Sequence, residues 1–251
     1  MGRRLLLLGL LLVGSAAAES SPSSSPVLQD VRVDLGDRSL RVSLVVFSSK
    51  DFLIRVIDTA AEGDKARFST LAGAMEAAGC IAGCNGGFFE RHPFSPVGLM
   101  TSDGQRAGRF EPDSWMKGLL VVRGNAATLE STETFKDSPD ITQLIQTGPW
   151  LVRSSQSELD SSWTQMARRT FICRDDKGTW AIGASDPCTL HELAALLKSP
   201  GITAVLTVHE ALNLDGGPST GLWLKRPAGN FYLPERWPVR NYIGIFPQPT
   251  P

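Results

Sequence analysis

Two short segments, far apart in the chain, share a pattern able to do chemistry. Ala82-Gly83-Cys84-Asn85-Gly86-Gly87 and Ala211-Leu212-Asn213-Leu214-Asp215-Gly216-Gly217 each run an apolar strand into a short polar residue and then a glycine pair. Paired glycines let the backbone turn sharply and leave its N–H groups unshielded. Such amides can form an anion-binding concavity suited to a phosphate or carboxylate. The same strings also serve as ordinary hairpin turns, so the pattern alone leaves both readings open. Asp215 is the candidate carboxylate, and Asn213 lies two residues earlier on the same strand face. His209 and Glu210 are the reserve acid or base, although strand alternation turns Glu210 toward the Leu212 and Leu214 side.

Other chemical motifs fail on order or spacing. Gly217-Pro218-Ser219-Thr220-Gly221 fits the nucleophile-elbow string, but that fold supplies its acid and His after the Ser. Here His92, His191 and His209 all precede Ser219, and no Asp follows it. His191-Glu192 and His209-Glu210 reach Ala195 and Asn213 where a zinc-protease helix needs a second His. Neither a phosphate-binding P-loop nor a dinucleotide glycine motif occurs, and His191 reads as a helix-surface residue.

The elements that must position the surviving residues are mostly short strands. Segments 31–36, 39–47 and 52–58 alternate or run apolar and read as an opening antiparallel meander. Ser69 is the expected cap of a helix over 70–78, closed by Gly79. CIAGC (80–84) is a buried strand delivering Asn85, and further strands are expected at 97–101, 118–122, 127–130 and 151–153. ITQLIQ (141–146) reads as one or two helical turns. Strands at 171–173 and 180–183 flank the hairpin signal Asp176-Lys177-Gly178. Thr189 opens a second helix, which Pro200-Gly201 ends. Strands at 202–208, 211–214 and 241–246 follow. Short strands with two helices give an α+β fold, a single domain of mixed, mostly antiparallel sheet.

The 251 residues are 42% hydrophobic and 20% charged, enough for a sizeable core. With 25 Lys plus Arg against 26 Asp plus Glu, bulk charge favours neither nucleic acid nor a polybasic membrane contact. Arg3 and Arg4, the apolar run 5–13 and Gly14-Ser15-Ala16-Ala17-Ala18 form a secretory signal over 1–18. Its apolar stretch is short of the ~20 residues of a relaxed membrane span. Losing Arg3 and Arg4 would move the net charge from −1 to about −3. Residues 19–27 read as a flexible leader ahead of the domain at 28–251, and the chain is expected to be exported, periplasmic or secreted. Cys80 and Cys84 lie about 13 Å apart on a strand, too far to bond. Cys173 and Cys188 bracket the hairpin and are the better disulfide pair, with buried thiols as the alternative. No metal site and no cofactor are indicated.

Six segments carry a resemblance: NGGFF (85–89), SPVGLMTSDGQ (95–105), QTGPWLV (146–152), ARRTFICRDDKG (167–178), TLHELAALL (189–197) and ALNLDGGPST (211–220). Their content and order are similar to the phosphodiester glycosidase family, over about Gly79 to Phe246. Pro218 stands where the family usually carries a third Gly. Cys173 replaces a small residue, and Arg236 sits one residue out of register with the family's carboxy-terminal Arg. The resemblance implies a hydrolase that releases a sugar from a sugar–phosphate diester or a related envelope or exopolysaccharide glycan. Such a leaving group is already a stable anion, so protonation of the departing oxygen matters less than in two-carboxylate glycosidases. Arg and backbone amides that neutralise the phosphate matter more. One carboxylate then suffices to attack the anomeric carbon or to activate water.

Asp215, Arg169 and Asn85 are the implied catalytic residues, with Arg169 as phosphate clamp. Gly86, Gly87, Gly216 and Gly217 are candidate amide donors, and Thr170 is a hydrogen-bonding neighbour. Asn85 and Ser219 would meet sugar hydroxyls, and Phe88 or Phe89 an apolar sugar face. Asn213 and Gly148 complete the substrate-binding set. Two alternatives remain: a non-catalytic carbohydrate-binding protein on the same fold, and a metal-assisted phosphodiesterase using Asp215, Glu210 and Asp103.

Overall fold

The structure, a computed structural model, describes residues 25–62, 64–157, 159–199 and 206–249. The expected signal sequence and most of the leader lie outside these residues. The chain opens with β1 (Val27–Asp34), β2 (Ser39–Ser48) and β3 (Phe52–Asp58), then the small ribbon β4 (Ala60–Ala61) and β5 (Lys65–Ala66). Helix α1 (Leu71–Ala78) leads to β6 (Ala82–Asn85) and a second ribbon, β7 (Phe89–Arg91) with β8 (Phe94–Pro96). Next come β9 (Met100–Ser102), β10 (Gln105–Ala107), β11 (Gly118–Arg123), β12 (Ala126–Ser131), β13 (Ile141–Thr147) and β14 (Trp150–Val152). The long hairpin β15 (Ala167–Arg174) and β16 (Thr179–Cys188) precedes α2 (Leu190–Lys198). Strands β17 (Glu210–Asn213), β18 (Leu222–Leu224), β19 (Phe231–Leu233) and β20 (Asn241–Pro247) complete it.

Three antiparallel sheets result, as an α+β domain requires. Their orders are β1-β2-β16-β15-β17-β14, β10-β9-β13-β11-β12 and β19-β18-β6-β20-β3. They share one apolar core, to which Val45, Ile54, Cys84, Ile145, Ile172, Leu212 and Ile243 contribute. Helix α2 covers the outer face of the six-stranded sheet, burying Leu190, Leu193 and Leu197 beside Val42, Leu44 and Phe171. A helix of this length has little stability alone, and each buried Leu supplies roughly 1.5–3 kcal/mol. Its start is fixed by a reciprocal cap: Glu192 N donates to Thr189 Oγ1 at 3.1 Å and Thr189 N to Glu192 Oε2 at 2.8 Å. Helix α1 packs Leu71 and Met75 against Trp223 and Tyr242 of the third sheet.

Five sequence expectations need correction. ITQLIQ is strand β13, and both of its faces are buried; an apolar run without a polar face has no period to separate strand from helix. The opening meander is broken, because β3 leaves β2 and pairs with β20 in another sheet. Thr70, not Ser69, caps α1, although Gly79 closes it in the left-handed region at φ 72° as expected. Of the expected 202–208 strand, residues 202–205 lie outside the described residues, and the described part, 206–208, joins no ladder. Cys173 and Cys188 are not bonded. The register sets Cys173 opposite Ala181 and Cys188 opposite Ala167, at opposite ends of the hairpin. All four cysteines are buried free thiols, and burial pushes Cys80 up to about 12, so they act as packing groups.

Candidate active site

The two glycine turns meet. The carboxy-terminal ends of β6 and β17 lie together, and Asp215 N donates to Gly86 O at 3.0 Å. Asn85 is the buried knot of this junction. Its Nδ2 donates to Asp215 O at 2.6 Å. Its Oδ1 accepts from Thr170 Oγ1 at 2.7 Å and from Gly221 N at 3.0 Å. Asn85 and Thr170 are thus spent on one another and on backbone, fixing where β6, β15 and the Asp215 turn meet.

The Gly86 and Gly87 amides are also spent. Gly86 N donates to Asn241 O at 3.0 Å, and Gly87 N to Asn241 Oδ1 at 2.7 Å. A Cβ on Gly86 would fall 2.0 Å from Asn241 Oδ1, and one on Gly87 2.6 Å from Ile145 Cγ2. Gly86 is there because Asn241, the first residue of β20, packs where its side chain would be, and Gly87 because Ile145 of β13 does. They are not amide donors for a ligand, which corrects the sequence reading.

Asp215 is held on both sides but left unpaired. Leu214 N donates to Thr170 O at 2.9 Å and, across the ladder, Phe171 faces Asn213. That register sets Asp215 opposite Arg169, on the same face as Asn213. Consistently, a Cβ on Gly216 would lie 3.9 Å from Arg169 Cα. The Asp215 carboxylate accepts from Gly216 N at 2.8 Å and from the Ser219 hydroxyl. Ser219 Oγ in turn accepts from Trp237 Nε1 at 3.2 Å. Among the described residues no cation pairs with Asp215. Burial therefore dominates, outweighing the Ser219 and Gly216 hydrogen bonds, and pushes the carboxyl from 3.8 up to about 6.

Arg169 lies on the adjacent strand. Its Nε donates to Cys188 O at 3.0 Å and its Nη2 to Gln165 O. Backbone carbonyls hold the guanidinium without neutralising it, and burial lowers its pKa from the ordinary arginine value. Arg168 points to the other face, where Nη1 donates to Pro234 O at 3.0 Å. Asn213 is 4% exposed. Its Nδ2 donates to Gly148 O at 2.9 Å, whereas its Oδ1 is buried without a partner among the described residues. Buried acceptors are rarely left unused.

The remaining expected residues divide. Phe88 packs edge-on against Trp115, with ring centroids 4.6 Å apart, whereas Phe89 packs on Phe94 at 5.4 Å within the α1 core. Gly148 is a notch: a Cβ would meet Met116 Cα at 3.0 Å and Trp115 O at 3.2 Å. Gly217 takes φ 58° ahead of Pro218 and opens the turn containing Ser219. Glu210 is paired with Arg174 directly across the ladder, Nε to Oε2 at 2.7 Å, at the end of β17 away from Asp215. His209 Nδ1 lies 3.4 Å from Ser155 Oγ. Asp103 accepts from Gln143 Nε2 at 2.7 Å in the β9–β10 turn. Asp215, Glu210 and Asp103 are therefore not gathered, and no group of three potential metal ligands occurs among the described residues. Sequence reasoning missed Asn241, Trp237, Trp115 and Gln146, whose roles depend on contacts many residues away.

The profile of the phosphodiester glycosidase family matches residues 78–246. The chain belongs to that family. Residues 85 to 219 that form the Asp215 junction all lie inside the matched span, as does Asn241. The phosphodiester glycosidase match excludes β1 to β3, which matches the lack of any motif there. Among solved structures, the catalytic domain of zebrafish N-acetylglucosamine-1-phosphodiester alpha-N-acetylglucosaminidase, auto-inhibited by its pro-peptide, aligns with a TM-score of 0.61 and 19% identity. That alignment covers 88% of this chain and 81% of the zebrafish domain. A hypothetical protein from Synechocystis aligns with a TM-score of 0.58 and 17% identity, over 89% of this chain and 62% of that one. At these identities the likeness is one of fold. No curated protein matches the chain significantly.

Proposed function

We propose that this chain is an exported hydrolase that cleaves a sugar–phosphate diester, or a related envelope or exopolysaccharide linkage, at the anomeric carbon. One observation carries the reading: a largely buried carboxylate, with no cation paired to it among the described residues, lies beside the strand of an arginine that only backbone carbonyls hold. A base that titrates near the working pH transfers protons efficiently. Asp215 either takes a proton from a water that attacks the anomeric carbon, or attacks that carbon itself to form a glycosyl ester that water then hydrolyses. The bond from that carbon to the phosphate oxygen breaks, and its electron pair leaves with the phosphate. Arg169 offsets the charge that develops there, in a site where preorganised donors count for more than in water. Asn85 positions Asp215 without touching substrate.

The family assignment and the α+β scaffold support this chemistry, and the signal-like sequence at 1–18 supports export. A carbohydrate-binding role without turnover would make Asp215 a turn residue only. Asp215→Asn separates the two: the reading requires that turnover of a sugar–phosphate–sugar diester is lost while the glycan still binds. Retained turnover in that variant would overturn it.

A further inference from the structure

Next to the junction is an exposed aromatic surface that the reaction itself does not use. Trp115 is 43% exposed, one of the few large apolar side chains left open. Phe88 meets it edge-on, with ring planes at 79°. Trp163 also packs against Trp115, with centroids 5.7 Å apart and planes at 59°. The three rings come from three separate segments and form one aromatic cluster centred on Trp115.

The loop that carries the central ring is pinned by buried hydrogen bonds. Gln146, buried at the end of β13, clamps the loop bearing Trp115 with all of its amide groups. Its Nε2 donates to Glu111 O at 2.7 Å and Met116 O at 3.1 Å. Its Oε1 accepts from Glu111 N at 2.9 Å and Leu99 N at 3.3 Å. The loop then seats against Gly148, the residue whose carbonyl also holds Asn213. At the other end, Phe88 follows directly after Gly87, beside the Gly86 carbonyl that anchors Asp215. An exposed tryptophan locked in place has already lost the freedom that binding would otherwise cost. Its open face presents negative π charge, to which the C–H-rich face of a pyranose ring is complementary. Carboxylates and phosphates are not.

We propose that Phe88, Trp115 and Trp163 form a stacking subsite for a second, neutral pyranose ring of the substrate glycan. The subsite rests on the glycosidase reading for its occupant, but its test does not need turnover. A lipid tail would call for a longer apolar surface than three rings; it is an outcome of the test.

The test is titration of the full chain with neutral trisaccharides (chitotriose, maltotriose and mannotriose), following tryptophan emission and indole NMR signals. At least one should shift the Trp115 signal saturably. Trp115→Ala should weaken that binding about tenfold or more, and Trp115→Phe should restore part of it. Gln146→Ala is the second variant: it keeps the ring but frees the loop, and weaker binding with the fold intact supports a ring held in place for its ligand. Failure of all three sugars to move the Trp115 signal would overturn the subsite, as would unchanged binding in Trp115→Ala. A response only to detergent or vesicles would assign the surface to lipid instead. Loss of turnover in Asp215→Asn with sugar binding intact leaves both readings standing. Undiminished turnover there with sugar binding intact sinks only the glycosidase reading.

Discussion

Asp215→Asn should change stability in a way that depends on pH, and this isolates the electrostatic claim from catalysis. Burial raises the folded carboxyl from 3.8 to about 6. Between those values the folded state binds more protons than the unfolded chain. The wild-type protein therefore carries the full benefit of the buried neutral acid below about pH 4 and loses it as pH rises through about 6. Each pKa unit is worth about 1.4 kcal/mol, so the total is about 3 kcal/mol, of which about 2–3 falls between about pH 4 and about pH 7.5. An asparagine keeps an oxygen for Gly216 N and does not titrate. Its constant cost, including the altered contact with Ser219, shifts the whole curve without tilting it. Urea unfolding of both proteins across that range should show the variant gaining about 2–3 kcal/mol relative to wild type as pH rises. Parallel curves would mean that Asp215 is not held in a desolvated site. A gap widening in the opposite direction would mean that Asp215 is ion-paired in the folded protein.

Other consequences are simpler to state. Arg169→Gln should lower kcat/KM for a phosphodiester by about 10²–10³, the usual loss for removing one preorganised charge donor, as measured by initial rates. Asn85→Ala strands three polar groups inside the junction, and thermal or urea unfolding should show a loss of about 3 kcal/mol or more. Glu210→Gln should leave kcat/KM unchanged within error and cost about 1 kcal/mol or less, because Glu210 serves only a partly exposed pair with Arg174.

The sequence revealed which strand ends matter but not how they are joined. The two Asn/Asp-Gly-Gly strings were legible because glycine pairs after apolar strands are locally conspicuous. Thr189 and Gly79 were legible as helix boundaries because such signals are local. The use of the Gly86 and Gly87 amides was not, because their acceptor, Asn241, lies more than 150 residues away. Asn85 read as a ligand-facing amide because its three partners belong to other segments. ITQLIQ was misread because burial on both faces erases the alternation that marks a half-exposed strand. The Cys173–Cys188 pairing failed for a similar reason: proximity in a hairpin depends on register, and the register placed the two at opposite ends. Gln146 gave no signal at all, since a clamp that satisfies four distant backbone groups looks in sequence like any polar strand residue.

Hydrolysis of a sugar–phosphate diester in heavy-oxygen water tests the central claim most directly. Wild-type enzyme should place the label on the released sugar, at its anomeric carbon, and Asp215→Asn should release no labelled product. Label found in the phosphate would contradict it, since water would then have attacked phosphorus and Asp215 would not be acting at the sugar.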